Sequence, residues 1–292
     1  MKRQIISIWR RIATRPSFAG INMMLLDCAI HGLGMGNWED DHWSGEANFL
    51  EKLLVNYVPK EMPVFVDVGA NVGGYSLRLR RHYPSAKILA IEPNPKTFTK
   101  LRHAICDEKT VLIDKGLGAT EGTLPFFDRR DCDGSSGHGS LYEAVITGIH
   151  KVDTVRVDVP ITTLDRIVQE QVLNRISLLK IDTEGHELAV LRGAENSLRK
   201  GLIDVIQLEF NEPNIISRVF FRDLIDFLPE YAPYRLLPKG VLRLKYSPRS
   251  TELFSFQNLV FVHNRFRPDR AMKPGIDPAS GAKDFKTFST PR

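Results

Sequence analysis

From residue 63 onward, short apolar runs alternate with stretches of helical spacing. The runs predict strands at 63–68, 86–91, 110–114, 176–181, 204–210 and 258–263. The spaced stretches predict helices near 74–83, 95–106, 163–171, 186–199 and 215–228. Such alternation argues for an α/β domain built on a mostly parallel sheet with helices on both faces. Ahead of it, Ser44–Val58 reads as a helix, with Phe49, Leu50, Leu53, Leu54 and Tyr57 in helical spacing. Runs at 123–127 and 152–159 predict an antiparallel addition before the fourth strand. Between them, Asp131–Ser140 (DCDGSSGHGS) reads as a flexible loop and a candidate lid.

Three segments follow from this pattern. Residues 1–43 are a basic segment and helical lead-in, 44–263 the folded body, and 264–292 a basic tail without periodicity that composition predicts to be disordered. Ile5, Ile8, Trp9 and Ile12 share one side of a short helix over residues 1–16. That helix suits peripheral contact with an anionic membrane surface. Its short length and Pro16 favour the plainer readings, a docking helix or a disordered start; a transit peptide is a further alternative.

Charge changes the picture little. The chain carries a formal net charge of +5. Residues 1–16 hold five basic residues and no acid, and 264–292 hold seven basic and three acidic, so the remainder has 28 basic against 32 acidic residues. A slightly acidic body without a basic stripe argues against a nucleic-acid partner. No apolar run approaches the ~20 residues of a membrane span. Cys28, Cys106 and Cys132 are scattered and odd in number, as expected of reduced thiols in a cytoplasmic protein rather than a disulfide framework or zinc site.

The chemistry concentrates at two strand ends. In Val64–Tyr75 (VFVDVGANVGGY) an apolar run meets Asp67 and then a tight turn through Gly69, Asn71, Gly73 and Gly74. This is how a parallel strand turns into a helix around a nucleotide-like ligand. Asn71 stands where a dinucleotide fingerprint has its middle glycine, and Asn tolerates the left-handed region. A carboxylate just before the turn suits a cationic amine or sulfonium better than a pyrophosphate, which favours S-adenosylmethionine over NAD. The next strand, Lys87–Ile91, ends on Glu92, placed to hold a ribose diol. In Ser177–Ala194 (SLLKIDTEGHELAVLRGA) a buried strand ends in Asp182, Glu184, His186 and Glu187. Ligands of open α/β sheets bind outside the carboxyl ends of the strands, so both clusters are expected to face one crevice. Lys180 is expected to join a Lys180–Asp182–Glu184 charge network. Glu184 and Glu187 also read as caps of the helix that follows, and Glu209 reads as a further crevice residue or a helix lead-in. Asp182-x-Glu184-x-His186 contains metal-ligand types, but the spacing is weakly specific and no metal is expected.

These motifs resemble the FkbM family of S-adenosylmethionine-dependent methyltransferases. The resemblance is carried by FVDVGANVGGYS (65–76), IEPNP (91–95), Ser140-Leu141-Tyr142, TLD (163–165) and above all LLKIDTEGHELAVLRGA (178–194). SGE (44–46) and QNLVFVH (257–263) also fit. It implies a class I Rossmann-like fold with a seven-stranded sheet whose last strand, 258–263, is antiparallel. It implies methyl transfer to a hydroxyl oxygen of a sugar or small natural product, so the partner is a small-molecule or glycan acceptor. Carried over, Asp67, Gly69, Asn71 and Gly73 would line the methionine and ribose of the cofactor, and Glu92 would bind the ribose hydroxyls. Asp114 or the Gly116–Gly118 turn would meet adenine. Asp182 and Glu184 would lie at the methyl-transfer end, either serving as base, with His186 as the alternative. Two other readings remain: an NAD-dependent oxidoreductase on the same topology, and a non-catalytic cofactor-binding protein.

Overall fold

The computed structural model describes residues 2–59 and 61–266. The expected tail therefore lies outside the described residues beyond 266. In chain order the strands are β1 (Val64–Val68), β2 (Lys87–Ile91), β3 (Thr110–Ile113), β4 (Gly116–Leu117), β5 (Gly122–Arg129), β6 (Thr154–Thr162), β7 (Ile176–Ile181), β8 (Ile203–Phe210), β9 (Tyr231–Leu237), β10 (Gly240–Arg243) and β11 (Gln257–His263).

Eight of them form one sheet in the order β10-β9-β11-β8-β7-β1-β2-β3. The segment β8-β7-β1-β2-β3 is parallel, and β11 enters antiparallel beside β8. This is the class I methyltransferase arrangement expected, with one correction: the sheet has eight strands, not seven. The hairpin β9–β10 escapes sequence reading because Pro233 and Arg235 interrupt its apolar alternation. Inside the sheet Arg235 is only 1 % exposed, its Nε donating to Gln257 at 2.8 Å.

Alternation along the parallel strands supplies two cores, one on each face. Val66, Val68, Leu179 and Ile181 pack into one, and Phe65, Leu178 and Val205 into the other. The runs expected to add antiparallel strands become β5 and β6. They pair antiparallel as predicted, but together with β4 they make a separate three-stranded sheet, order β4-β6-β5.

Three predicted helices are broken. The 44–58 helix is a series of short turns over 46–56. The 186–199 helix divides into Glu187–Arg192 and Glu195–Arg199, where Gly193 passes so close to the Gly118 carbonyl that a Cβ would sit 2.0 Å from its oxygen. The 215–228 helix divides into Pro213–Ser217 and Phe221–Phe227, with Arg218 left-handed at φ +57°. At the other end of the chain, residues 1–16 take the helical one of their alternative readings as helix α1 (Lys2–Ala13), and helix α2 (Ala19–Gly32) follows it within the lead-in. Among the described residues no helix is long and apolar enough to cross a membrane.

Candidate active site

The two strand ends meet because β7 lies directly beside β1, Asp67 level with Lys180 and Val68 with Ile181. The Asp182 amide donates to the Val68 carbonyl at 3.0 Å. An ideal Cβ on Gly69 would stand 1.8 Å from the Asp182 carbonyl oxygen, and Gly69 has φ +77°. Glycine is thus required here by the neighbouring strand. Asn71 is left-handed at φ +49°, the conformation its place in the turn predicted. Its amide donates to Glu92 Oε2 at 3.0 Å, while the Asn94 amide donates to Glu92 Oε1 at 2.9 Å. Burial pushes the Glu92 carboxyl up to about 7, although the two amides act to lower it.

A cavity of about 690 Å³, counted with solvent at its mouth, opens between these ends. Gly69, Asn71, Glu92, Asp182, Glu184 and His186 all line it. Three other residues expected at the cofactor are not among its lining. Gly73 faces the helix Pro95–Ala104, where a Cβ would meet Leu101 at 2.9 Å. Asp114 precedes the stretch Lys115–Leu117 that does form wall. Asp67 is fully buried beneath the turn, accepting from Ser76 Oγ at 2.7 Å. Its Oδ1 has no hydrogen-bond partner and looks toward Lys180 Nζ at 3.9 Å.

Lys180 Nζ pairs with Asp182 Oδ2 at 2.9 Å and lies 4.9 Å from the Tyr75 ring centroid. Burial alone would depress the ammonium, yet Asp182, Asp67 and Glu46 together hold it well above the ordinary lysine range. Half of the expected charge network is therefore present. Glu184 leaves it, because φ +49° turns it off the strand direction and its Oε1 meets His138 Nδ1 at 3.3 Å. Burial raises the Glu184 carboxyl, and the His138 contact opposes that. The same contact raises His138. Burial also raises Glu209 well above the carboxylate range, with Asp182 and Glu184 adding to it. Burial lowers His186 to about 4, so its ring is neutral at pH 7; its Nδ1 lies 3.1 Å from the Tyr142 hydroxyl. Glu187 does not cap the helix it begins but ties down the loop ahead of it: its Oε1 accepts from the Gly185 amide at 2.9 Å and its Oε2 from Asn214 Nδ2 at 3.0 Å.

The glycine-serine loop roofs the cavity, with Ser136, Gly137 and Gly139 in its wall. Asp128 holds it down, accepting from the Ser136 amide at 3.2 Å, from Ser136 Oγ and from Asn94 Nδ2 at 2.9 Å. Ser140 Oγ donates to the Glu184 carbonyl at 2.8 Å. Sequence reasoning missed Asp128, His138 and Glu46. Glu46 stood in the SGE motif but read as a helix start. It is buried, accepting from Gln207 Nε2 at 2.7 Å and Arg78 Nη2 at 2.9 Å.

Residues 67–236 match the family model described as the methyltransferase FkbM domain. Methyltransferase sdnD of Sordaria araneosa is 35% identical over 157 residues, which cover 46% of this chain and 61% of that protein. The hexuronic acid methyltransferase AglP of Haloferax volcanii is 30% identical over 175 residues, 59% of this chain and 65% of AglP. The 2-O-methyltransferase NoeI of Sinorhizobium fredii is 24% identical over 206 residues, 66% of this chain and 82% of NoeI. The chain thus spans about three fifths of the length of sdnD. The matched segment takes in both strand ends and more than half of the sequence, and the chain belongs to the methyltransferase FkbM domain family.

Proposed function

We propose that this protein transfers a methyl group from S-adenosylmethionine to a hydroxyl oxygen of a sugar or small natural product. The observation that carries the reading is one cavity with Glu92 on one wall and Asp182 and Glu184 on another. The family supports methyl transfer. The names of two relatives, a 2-O-methyltransferase and a hexuronic acid methyltransferase, support an oxygen acceptor and a sugar acid.

The residues fit the cofactor chemically. Each Glu92 oxygen takes one backbone donor and keeps a lone pair for a ribose hydroxyl. Glycines at 69, 137 and 139 leave room in the walls. Asp182 and Glu184 bring acidic side chains suited to a sulfonium into the wall, and neutral His186 adds no opposing charge. When bound, S-adenosylmethionine supplies the electrophilic methyl. Alignment of the acceptor oxygen by the surrounding walls is the largest contribution asked of the protein. Glu184 accepts the hydroxyl proton on a carboxylate oxygen, Oε1 being steadied by His138. A carboxyl raised by burial is a stronger base than an exposed one. His186, lowered to about 4, is the weaker candidate.

Glu184→Gln is expected to lower turnover by about 10²–10⁴-fold with little change in cofactor affinity, measured by calorimetry beside a methyl-transfer assay on a sugar panel. Unchanged turnover removes Glu184 from the role of base. Tighter binding of NAD than of S-adenosylmethionine would overturn the whole reading in favour of an oxidoreductase. Cofactor binding without transfer to any acceptor would favour a binding protein.

A further inference from the structure

Helices α1 and α2 form a hairpin that contributes almost nothing to either core. No residue of α2 is buried, and on α1 the side chains of Ile5, Ile8 and Ile12 are each more than half exposed. Eleven of the 22 exposed large apolar side chains among the described residues lie between 5 and 33. The hairpin is nonetheless ordered within itself: Trp9 Nε1 donates to Asn22 Oδ1 at 3.1 Å, and Asn22 Nδ2 donates to the Ala13 carbonyl at 3.0 Å. The α2 sequence AGINMMLLDCAIHG is apolar around its whole circumference, with one acid and no Lys or Arg. A helix apolar all round belongs in a core or in lipid, and this one has no core around it. Fourteen residues rise only about 21 Å, short of the ~30 Å of a bilayer's hydrocarbon, so α2 is suited to lie in one leaflet.

Charge names the surface. Residues 1–26 contain five basic residues and no acid, whereas the body between 17 and 263 is net acidic. An anionic surface attracts the first and repels the second.

The fold also supplies an orientation. The Leu33 carbonyl, just past α2, accepts from Arg235 Nη1 at 3.2 Å. Gly34 then passes so close to β9 that a Cβ would meet Leu237 at 2.5 Å. Strand β11 is antiparallel to both β8 and β9, so β9 runs parallel to β8, β7 and β1. The end of β9 that receives α2 is therefore at the same sheet edge as the cavity. On that edge Trp38 and Trp43 are 70% and 55% exposed, and Glu46, three residues on, joins the Lys180 group. Exposed tryptophans suit a membrane–water boundary.

We propose that the α1–α2 hairpin seats this protein on an anionic bilayer, with the cavity edge of the sheet turned toward the lipid. The proposal stands apart from methyl transfer, because its readout is lipid binding. All three tryptophans, Trp9, Trp38 and Trp43, lie in this region, so intrinsic fluorescence reports on it directly.

The full chain is titrated with phosphatidylcholine vesicles containing or lacking phosphatidylglycerol. The expected result is a blue shift and co-sedimentation, on the order of tenfold tighter with the anionic lipid and weakened by salt. Ile8→Glu with Leu25→Glu should abolish sedimentation while leaving the thermal unfolding midpoint and S-adenosylmethionine binding unchanged. In Trp9→Phe, quenching of the remaining emission by brominated lipid supports the orientation; unquenched emission from a bound protein overturns it. Equal binding to both vesicles overturns the anionic requirement. Absence of binding overturns the anchor, as does a dimer that the same two substitutions convert to monomer, since a second copy would then cover the hairpin.

Discussion

Replacing Lys180 by methionine tests the electrostatic plan of the site most directly. Methionine preserves much of the side-chain length and removes the charge. Asp67 is then left with 0 % exposure and an Oδ1 that already has no hydrogen bond. Asp182 loses its 2.9 Å partner. Breaking a buried pair from one side costs about 3–5 kcal/mol, roughly 10 °C in unfolding midpoint for a domain of this size. The loss should depend on pH. Burial already raises the Asp67 carboxyl, and the charged lysine opposes that rise, so its removal raises Asp67 further. A carboxyl raised in the folded state adds stability that is complete below its unfolded pKa and vanishes as pH climbs through the folded value. The lysine, raised itself, stays charged throughout neutral pH. The deficit of Lys180→Met against the wild type should therefore be full near pH 8 and shrink toward pH 5. Urea unfolding of the wild type, Lys180→Met, Asp67→Asn and the double variant at both pH values measures it. The double variant should recover part of the loss, as coupled neighbours do. A Lys180→Met protein within about 1 kcal/mol of wild type at pH 8, or one whose deficit ignores pH, refutes the reasoning.

Other outcomes follow from single contacts. Gly69→Ala should cost about 3 kcal/mol or more in thermal unfolding, from a 1.8 Å collision with the Asp182 carbonyl at φ +77°. Gly74→Ala, where nothing lies within 4 Å of the new Cβ, should be neutral or stabilising. The rise of Glu92 to about 7 makes the wild type lose up to about 3 kcal/mol as pH goes from 4.5 through 7, a loss that the Glu92→Gln unfolding profile should lack. Asp128→Asn should loosen the roof and speed proteolysis between 131 and 140 several-fold, because Ser136 and Asn94 lose their shared acceptor.

Local chemistry alone is enough for much of this protein. Runs such as VFVDV and ISLLKI are too apolar and too short to be anything but buried strands, and the glycines and Asn71 after Asp67 demand a turn. Those are nearest-neighbour constraints, legible in one dimension. So were the cavity positions of Glu92, Asp182, Glu184 and His186, because carboxyl ends of parallel strands share an edge whatever the strand order. The rest depended on order and depth. Asp67 has the same sequence signature whether it touches a ligand or lies under the turn; only the packing of Ser76 and Lys180 around it puts it beneath. Glu46 reaches the site through Gln207, 161 residues away. His138 captures Glu184 because a loop with no periodicity folds back over the edge. Strand β9, with Pro233 and a buried arginine, and helix α2, apolar without an inside, carry patterns that are ambiguous until their surroundings exist. Periodicity reports which face is buried, but burial of a charge or exposure of an apolar helix is set by partners far along the chain, and those only the folded molecule brings together.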